Sequence, residues 1–293
     1  MPTPLSQNST QAPGVQDLLA DLADERDELI DLIEGLSAEE WELPTPAPGW
    51  TVRDQVAHLT FYDRLAGLAV SDPAAFAAHR EIVLADVARY EQVHLDLVPR
   101  HIWAMLSSWR DAALLFRMGV LFCEPGVRVP WFGPSMSLRS MITARLMETW
   151  AHGHDVADAL NVVIAPTGRL KHVATIAFRA HDYGYLVRGL TPPPDPIAVV
   201  LTAPDGQRWT WGPLDADSRV EGSAEDFCLV LARRRHVDDT ALRCVGKPAR
   251  SWMELGQMYA GPPGNGPQRA RGDTHAVNGR WRETARVRVD FDT

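Results

Sequence analysis

Two side chains that commonly bind metals lie four residues apart in the segment ARLMETWAHGHDVADAL, residues 144–160. If this segment is helical, Glu148 and His152 share one face, because residues i and i+4 are neighbours on a helix. An imidazole and a carboxylate together suit zinc and the metals next to it in the first transition row. Arg145 and Asp155 fall on the same stripe, where Asp155 could orient His152 through its other ring nitrogen. An ordinary solvated polar face with an i,i+4 pair is the alternative explanation.

A third candidate ligand is His58, in the segment GWTVRDQVAHLT. Its apolar neighbours indicate either a core histidine with satisfied hydrogen bonds or a ligand that faces inward. Asp54 and Tyr62 lie one turn to either side and are candidate hydrogen-bond partners of His58. Helical bundles build their metal sites from side chains that project inward from facing helices.

Other common catalytic signatures are absent from the sequence. The chain has no GxGxxG, GxxxxGK[ST], GxSxG or HExxH motif, so nothing indicates a nucleotide cofactor or an α/β-hydrolase triad. Its 3 cysteines form no CxxC pair, which argues against a thiolate metal site and against a disulfide framework.

The elements that must position these residues are mostly helices as far as about residue 190. Apolar periodicity and capping residues predict them, and beyond that point β-branched and aromatic runs predict strands. The predicted helices cover residues 14–36, 38–41, 51–71, 72–97, 102–123, 137–160 and 166–189. They are followed by a β-hairpin, a strand–helix–strand unit over 217–246 and a closing helix over 252–259.

The pattern divides the chain into four parts. Residues 1–13 are expected to be a disordered tail, 14–190 a helical metal-binding domain, 191–259 a small α+β domain, and 260–293 a Gly/Pro-rich tail. The predicted fold class is therefore mainly α with a smaller α+β domain.

Composition and charge limit the classes of partner. The chain has 293 residues, of which 45% are hydrophobic, and a net charge of -9. The acidic balance argues against nucleic acid and against an anionic membrane. The N-terminal segment lacks the features of a secretory signal, and the longest apolar run is too short to span a bilayer. We therefore expect a cytoplasmic protein, either a monomer or a small homo-oligomer.

The segments GWTVRDQVAHL and ARLMETWAHGHDVADAL together resemble the DinB-like superfamily, and in particular the mycothiol-dependent maleylpyruvate isomerase family of actinobacteria. The resemblance covers residues 14–190 and is closest to a branch known only as metal-binding proteins. It implies a DinB-like four-helix bundle followed by a mixed α/β sheet domain. It also implies a divalent metal, typically zinc, with His58, Glu148 and His152 as ligands.

The resemblance further implies an arginine contributed by the C-terminal domain. The family pattern there ends in a Gly-Arg pair, whereas this chain has Ala232, Arg233 and Arg234. Arg233 is matched to the family arginine, and a solvated basic helix end is the alternative. Arg233 or Arg145 would hold a substrate carboxylate or stabilise an enolate.

Three protein ligands leave open positions on a metal, as in catalytic zinc sites. The leading hypothesis is a transferase or cis–trans isomerase in which a metal-bound thiol, mycothiol by analogy, adds to a small electrophile. Trp131 and Tyr62 are candidates for lining its pocket, although aromatic residues in loops also serve for packing alone. The alternatives are a thiol-independent metalloenzyme that uses metal-bound water, and a non-catalytic metal- or ligand-binding protein.

Overall fold

The structure is a computed structural model that describes residues 14–86, 99, 101–124, 126–261, 263–264 and 266–269. The expected tail over 1–13 lies outside the described residues. So do residues 87–97 of the predicted third long helix and residues 270–293 of the Gly/Pro-rich segment.

The larger part of the chain is a bundle built around long helices. Within the described residues the bundle consists of α1 (Val15–Ile33), α2 (Ala38–Trp41), α3 (Val52–Ser71), α4 (Pro73–Ala85), α5 (Ile102–Phe122) and α6 (Leu138–Leu160). Helix α3 packs against α5 and α6, and α1 packs against α6, so that one face of each of these helices is buried inside the bundle.

The two helices that carry the candidate ligands begin at capped residues. The Thr51 hydroxyl accepts from the N–H of Asp54, and the Asp54 carboxylate accepts from the N–H of Thr51 at 2.8 Å, which is a capping box. The Ser137 hydroxyl accepts from the N–H of Ser140 at 3.1 Å. These caps fix where α3 and α6 begin, and therefore which side chains face the core.

Helices α3 and α5 cross closely at Gly67. A Cβ atom at that position would lie 2.9 Å from Cγ of Leu115 and 3.1 Å from the backbone nitrogen of Phe116. A larger residue would therefore force the two helices apart.

The bundle core contains a buried ionic network centred on Asp63. This carboxylate is fully buried and accepts from Nε of Arg26 at 3.1 Å, from Nε1 of Trp109 at 2.9 Å and from Nε of Arg145 at 2.7 Å. Burial alone would raise the pKa of Asp63, but the two arginines outweigh it and hold the pKa below its ordinary value. The network ties α1, α3, α5 and α6 together through one charged side chain.

A smaller α+β unit follows the bundle, as the sequence predicts. It contains a mixed sheet of four strands in the order β4-β3-β5-β6, in which β3 pairs antiparallel with β4 and parallel with β5, and β5 pairs antiparallel with β6. The strands are β3 (Ile197–Thr202), β4 (Arg208–Trp211), β5 (Ser218–Ser223) and β6 (Arg243–Val245).

Two helical predictions differ from the structure in their bounds. The helix expected over 166–189 is two helices, α7 (Leu170–Arg179) and α8 (His181–Leu186), because the chain breaks its helical geometry at Ala180. Helix α9 (Ala224–Leu231) packs against α7 and thereby joins the sheet to the bundle. The closing helix, α10 (Lys247–Leu255), begins five residues earlier than expected and has a proline in its first turn.

The loop between α5 and α6 carries a two-stranded ribbon, β1 (Arg128–Val129) and β2 (Met136–Ser137). The segment between these two strands contains Trp131 and Phe132. No helix among the described residues is long and apolar enough to cross a lipid bilayer.

Candidate metal centre

Helices α3 and α6 bring His58, Glu148 and His152 together. Each offers one ligand atom, and these atoms lie within 4.8 Å of one another. Oε2 of Glu148 is 3.3 Å from Nε2 of His152 and 4.0 Å from Nε2 of His58. The arrangement joins the i,i+4 pair of one helix to a histidine of the facing helix.

The spacing and chemistry of these donors fit a divalent metal. Ligand atoms about 2 Å from a tetrahedral zinc lie roughly 3.3 Å from one another, close to the separations seen here. Two neutral imidazoles and one carboxylate form a donor set typical of catalytic zinc, and such sites leave a further position open.

The second ring nitrogen of His152 is fixed by Gln55. Nδ1 of His152 donates to Oε1 of Gln55, a fully buried residue, whose amide nitrogen in turn donates to the hydroxyl of Thr45 at 2.8 Å. This chain sets the direction of the Gln55 amide and places the ring proton of His152 on Nδ1. Nε2 is therefore left as the atom that can bind a metal.

Asp155, which the spacing assigned to orienting His152, has a different principal partner. Its Oδ2 is 3.9 Å from Nδ1 of His152, too far for a hydrogen bond, and accepts from Nη2 of Arg234 at 2.7 Å. Gln55 takes the position expected of Asp155 because it projects from the facing helix directly towards the ring.

The two expected partners of His58 occupy different places. Asp54 is engaged in the capping box of α3 and accepts from both the N–H and the hydroxyl of Thr51 at 2.8 Å. The Tyr62 ring lies against His58 with 4.5 Å between ring centroids. The indole of Trp50 lies 5.1 Å from the His58 ring and stacks on His152 with 6.0 Å between ring centroids.

Arg145 is buried in the bundle, one turn before Glu148 on α6. Its side chain is 3% exposed and pairs with Asp63, 2.7 Å away. The expected contact with a substrate carboxylate is therefore at odds with its buried position. Its charge still acts on the site, since Arg145 is one turn before Glu148 and helps to lower the pKa of that carboxyl group.

The arginine of the small domain that reaches the site is Arg234. Helix α9 ends in a Schellman motif: the N–H of Arg233 donates to the carbonyl of Val230, and the N–H of Arg234 to that of Leu229. Arg233 occupies the left-handed position of this motif, with φ of 63°, where glycine is the usual residue. In a Gly-Arg pair the arginine would therefore match Arg234, and the structure favours Arg234 over Arg233 for that role.

Arg234 is held rigidly at the edge of the site. Nε and Nη2 donate to Asp155 at 3.2 Å and 2.7 Å, and Nη1 donates to the carbonyl of Ala232 at 2.7 Å. The guanidinium also lies over the ring of Tyr259, 5.9 Å from its centroid. Arg233 instead donates to the carbonyl of Glu254 at 2.7 Å.

An aromatic wall extends outward from the candidate ligands. Tyr62 neighbours Trp131 and Phe132 at centroid distances of 6.4 Å and 6.2 Å, and Trp131 stacks on the buried Phe76 at 5.5 Å. The predicted lining residues Trp131 and Tyr62 therefore lie together, on the same side as His58.

The charges around Glu148 favour its ionised form. Burial raises the pKa of this carboxyl group, but the hydrogen bond and charge of His152 and the charges of Arg145 and Arg234 outweigh burial and lower it. An ionised carboxylate is the form that ligates a metal.

Sequence reasoning missed Gln55, Trp50 and Arg234. The first two lie in the same GWTVRDQVAHL segment as His58. Because Gln55 precedes His58 by three residues, it shares a helix face with that ligand, and this spacing was a usable signal.

Replacing Gln55 with leucine is expected to weaken metal binding about 10- to 100-fold, because Nδ1 of His152 loses the acceptor that orients the ring. Competition with a chromophoric chelator would measure this change. Gln55→Glu, which keeps an acceptor oxygen, is the matched control and should retain most of the affinity. Equal weakening in both variants would argue against this role for Gln55.

Similarity to known proteins agrees with this architecture. Residues 22–157 match the family model of the mycothiol maleylpyruvate isomerase N-terminal domain, and the match includes all three candidate ligands. The chain is also 44% identical over 249 residues to uncharacterized proteins of Mycobacterium tuberculosis strains CDC 1551 / Oshkosh and H37Rv, an alignment that covers 85% of this chain and 97% of each relative. The chain belongs to the mycothiol maleylpyruvate isomerase N-terminal domain family. The resemblance expected from the two histidine-bearing segments is thereby confirmed.

Solved structures extend the family likeness to the overall fold. A crystal structure of the mycothiol-dependent maleylpyruvate isomerase has a TM-score of 0.51 at 14% identity and covers 76% of this chain and 90% of that one. A mutant of the isomerase gives 0.53 at 14% identity, covering 77% and 91%. At this identity the likeness is one of fold, a DinB-like bundle with a smaller mixed domain. Residues 193–245, which span β3 to β6, match the family model of wyosine base formation.

Proposed function

We propose that this protein is a metal-dependent enzyme that uses mycothiol or a similar low-molecular-weight thiol to act on a small electrophilic substrate. The reaction would be a thiol transfer or a cis–trans isomerisation. The observation that carries the proposal is the convergence of His58, Glu148 and His152 in a chain whose structural relatives are mycothiol-dependent isomerases. We expect a cytoplasmic enzyme whose partners are the thiol and the electrophile.

In this proposal the metal is held by Nε2 of His58, Nε2 of His152 and the carboxylate of Glu148. A divalent ion, for which zinc is the expected identity, would act there as a Lewis acid that favours the thiolate form of a bound thiol. Gln55 accepts the Nδ1 proton of His152 and so leaves Nε2 as the atom directed to the metal, and the charges of Arg145 and Arg234 favour the ionised form of Glu148.

Arg234 is suited to hold negative charge on the substrate. Of its five N–H groups, three donate to Asp155 and Ala232, so two remain available to a carboxylate or an enolate oxygen. Because Asp155 fixes the guanidinium of Arg234 before substrate binds, the Arg234 side chain loses little conformational freedom when it binds the negative charge of the substrate.

The aromatic wall of Tyr62, Trp131 and Phe132 supplies the apolar side of the pocket. Flat apolar rings can pack against an unsaturated carbon skeleton and exclude water from it. The pocket thus combines one cationic group and one apolar surface, which matches a small unsaturated acid.

The experiment that tests the proposal is turnover of maleylpyruvate and related unsaturated keto acids with and without mycothiol, on protein of measured zinc content. Turnover that requires both the thiol and the metal would support the proposal. Turnover of any such substrate without thiol would contradict it and favour a metalloenzyme that uses bound water. A protein that takes up no metal on reconstitution would also contradict it.

Replacing Arg234 with alanine is expected to lower kcat/KM about 100-fold, because a fixed cationic donor to the reacting anion is lost. Steady-state kinetics of Arg233→Ala provides the matched control, and that variant should stay within a few-fold of wild type. Zinc content should be unchanged in both. A larger loss of kcat/KM in Arg233→Ala than in Arg234→Ala would assign the substrate-binding role to Arg233 instead.

A further inference from the structure

The outward face of α5 carries a continuous apolar stripe in its C-terminal half. Phe122 is 79% exposed and Leu114 is 57% exposed, and no described residue covers them. The stripe consists of Leu114, Leu115, Met118, Leu121 and Phe122.

The exposed apolar surface of the stripe is as large as the largest apolar patch of a typical monomer, and such patches are often functional. The five side chains leave roughly 500 Å² exposed, within the range of about 300–600 Å² for such a patch. A stable interface buries about 800 Å² on each partner, so this stripe would supply more than half of the area a partner requires.

The spacing of the stripe is symmetric about Met118. Leu114 and Leu115 lie four and three residues before it, and Leu121 and Phe122 lie three and four residues after it. In an antiparallel pair of identical helices related by a twofold axis at Met118, Leu114 would meet the partner's Phe122 and Leu115 would meet the partner's Leu121. A surface that is complementary to itself is what a twofold dimer requires.

The opposite face of α5 is already committed to the bundle. Trp109 and Phe116 are 1% and 0% exposed, and Leu115, which is 41% exposed, forms the edge of the stripe where α5 meets Gly67 of α3. The helix therefore presents one face to its own core and one to solvent, and neither the position of α5 nor the bundle core needs to change for a second copy to dock.

From these observations we propose that the protein forms a twofold dimer through antiparallel packing of α5 against α5 of a second copy, centred on Met118. The dimer face is separate from the candidate ligands, which lie on α3 and α6. The proposal is therefore independent of the proposed chemistry.

Sedimentation velocity of the full chain tests the dimer directly. Wild type should sediment at twice the chain mass of 32.5 kDa at micromolar concentration. Met118→Glu places two carboxylates opposite each other on the axis and should weaken the dimer at least about 100-fold. Met118→Leu should leave it intact, as should Val163→Glu, which introduces a carboxylate at another exposed apolar residue.

Two further measurements control for misfolding of the variants and for a different register of the two α5 helices. Phe122→Glu should also yield a monomer, with an unchanged circular dichroism spectrum and zinc content. Met118→Cys should form an intermolecular disulfide on mild oxidation, because a residue on the axis faces its own copy, whereas wild type and Val163→Cys should not.

Several results would overturn the dimer. One is a wild-type chain that stays monomeric up to about 100 μM, well above the Kd expected for a specific interface. Another is a dimer that persists in both glutamate variants. A monomeric wild type that pellets with phosphatidylcholine vesicles would reassign the stripe to a lipid surface.

Discussion

Replacing His152 with alanine is expected to lower bound zinc from about one equivalent per chain to less than about a tenth, because a three-ligand site that loses one imidazole holds its metal weakly. Thiol-dependent turnover should fall with it. Glu148→Gln should lose metal as well, although less completely, since the amide oxygen is a poorer ligand than a carboxylate. Elemental analysis after dialysis against a weak chelator would measure both.

The matched control is His172→Ala. His172 lies on α7 and contacts Asp21 at 2.7 Å, so this substitution removes an imidazole that is paired with a carboxylate outside the candidate ligand group. It should leave zinc at the wild-type level. Full zinc occupancy in His152→Ala would defeat the ligand assignment, and the proposed function would fall with it.

The second large effect is expected in the bundle core. Asp63→Asn should lower the free energy of unfolding by about 3–5 kcal/mol, because Arg26 and Arg145 would remain buried without a counter-charge. The free energy of unfolding of a typical protein is only about 5–15 kcal/mol, so this loss is a large fraction of it. Urea unfolding followed by circular dichroism would measure the loss.

Glu34→Gln is the control for Asp63→Asn. It breaks the exposed pair with Arg110, and we expect less than about 1 kcal/mol from it. A stability of Asp63→Asn equal to that of Glu34→Gln would contradict the network.

The stability that Asp63 contributes depends on pH. Because the pKa of Asp63 is lowered in the folded protein, this contribution is present above the ordinary pKa of 3.8 and is lost as the pH falls through the folded pKa.

The candidate ligands could be named from the sequence because helical periodicity fixes which residues share a face. Glu148 and His152 needed only one helix, and the resemblance favoured a ligand role for His58 over that of a core histidine. The partner of His152 could not be obtained in the same way, since Gln55 lies 97 residues away on a facing helix. Asp155 is three residues from His152 and Asp54 is four residues from His58, but Arg234 engages Asp155 and the capping box of α3 engages Asp54.

The choice between Arg233 and Arg234 depended on backbone geometry. A helix that simply continued would turn each successive side chain by a constant angle. The left-handed residue at the end of α9 breaks that progression and directs Arg234 to Asp155. Composition and periodicity carry no signal for such a turn when glycine is missing from it.

Most helix starts were predictable because their caps are local, as at Thr51 and Ser137. The break between α7 and α8 was not, because the apolar pattern runs through it without a proline or a glycine at the junction. On either side of this break α7 packs against α6 and α9, and α8 packs against α10, which are contacts with residues distant in sequence.

The left-handed conformation of Arg233 costs about 1 kcal/mol relative to glycine. Its side chain offsets this cost by contacting both the last turn of α10 and the chain beyond it, since Nη1 donates to the carbonyl of Glu254 and the guanidinium lies against Gly266. Residues 256–261, which bring Tyr259 next to Arg234, are thereby anchored to the end of α9. In the proposed pocket these contacts would make this border a fixed wall, and a substrate would enter from another side.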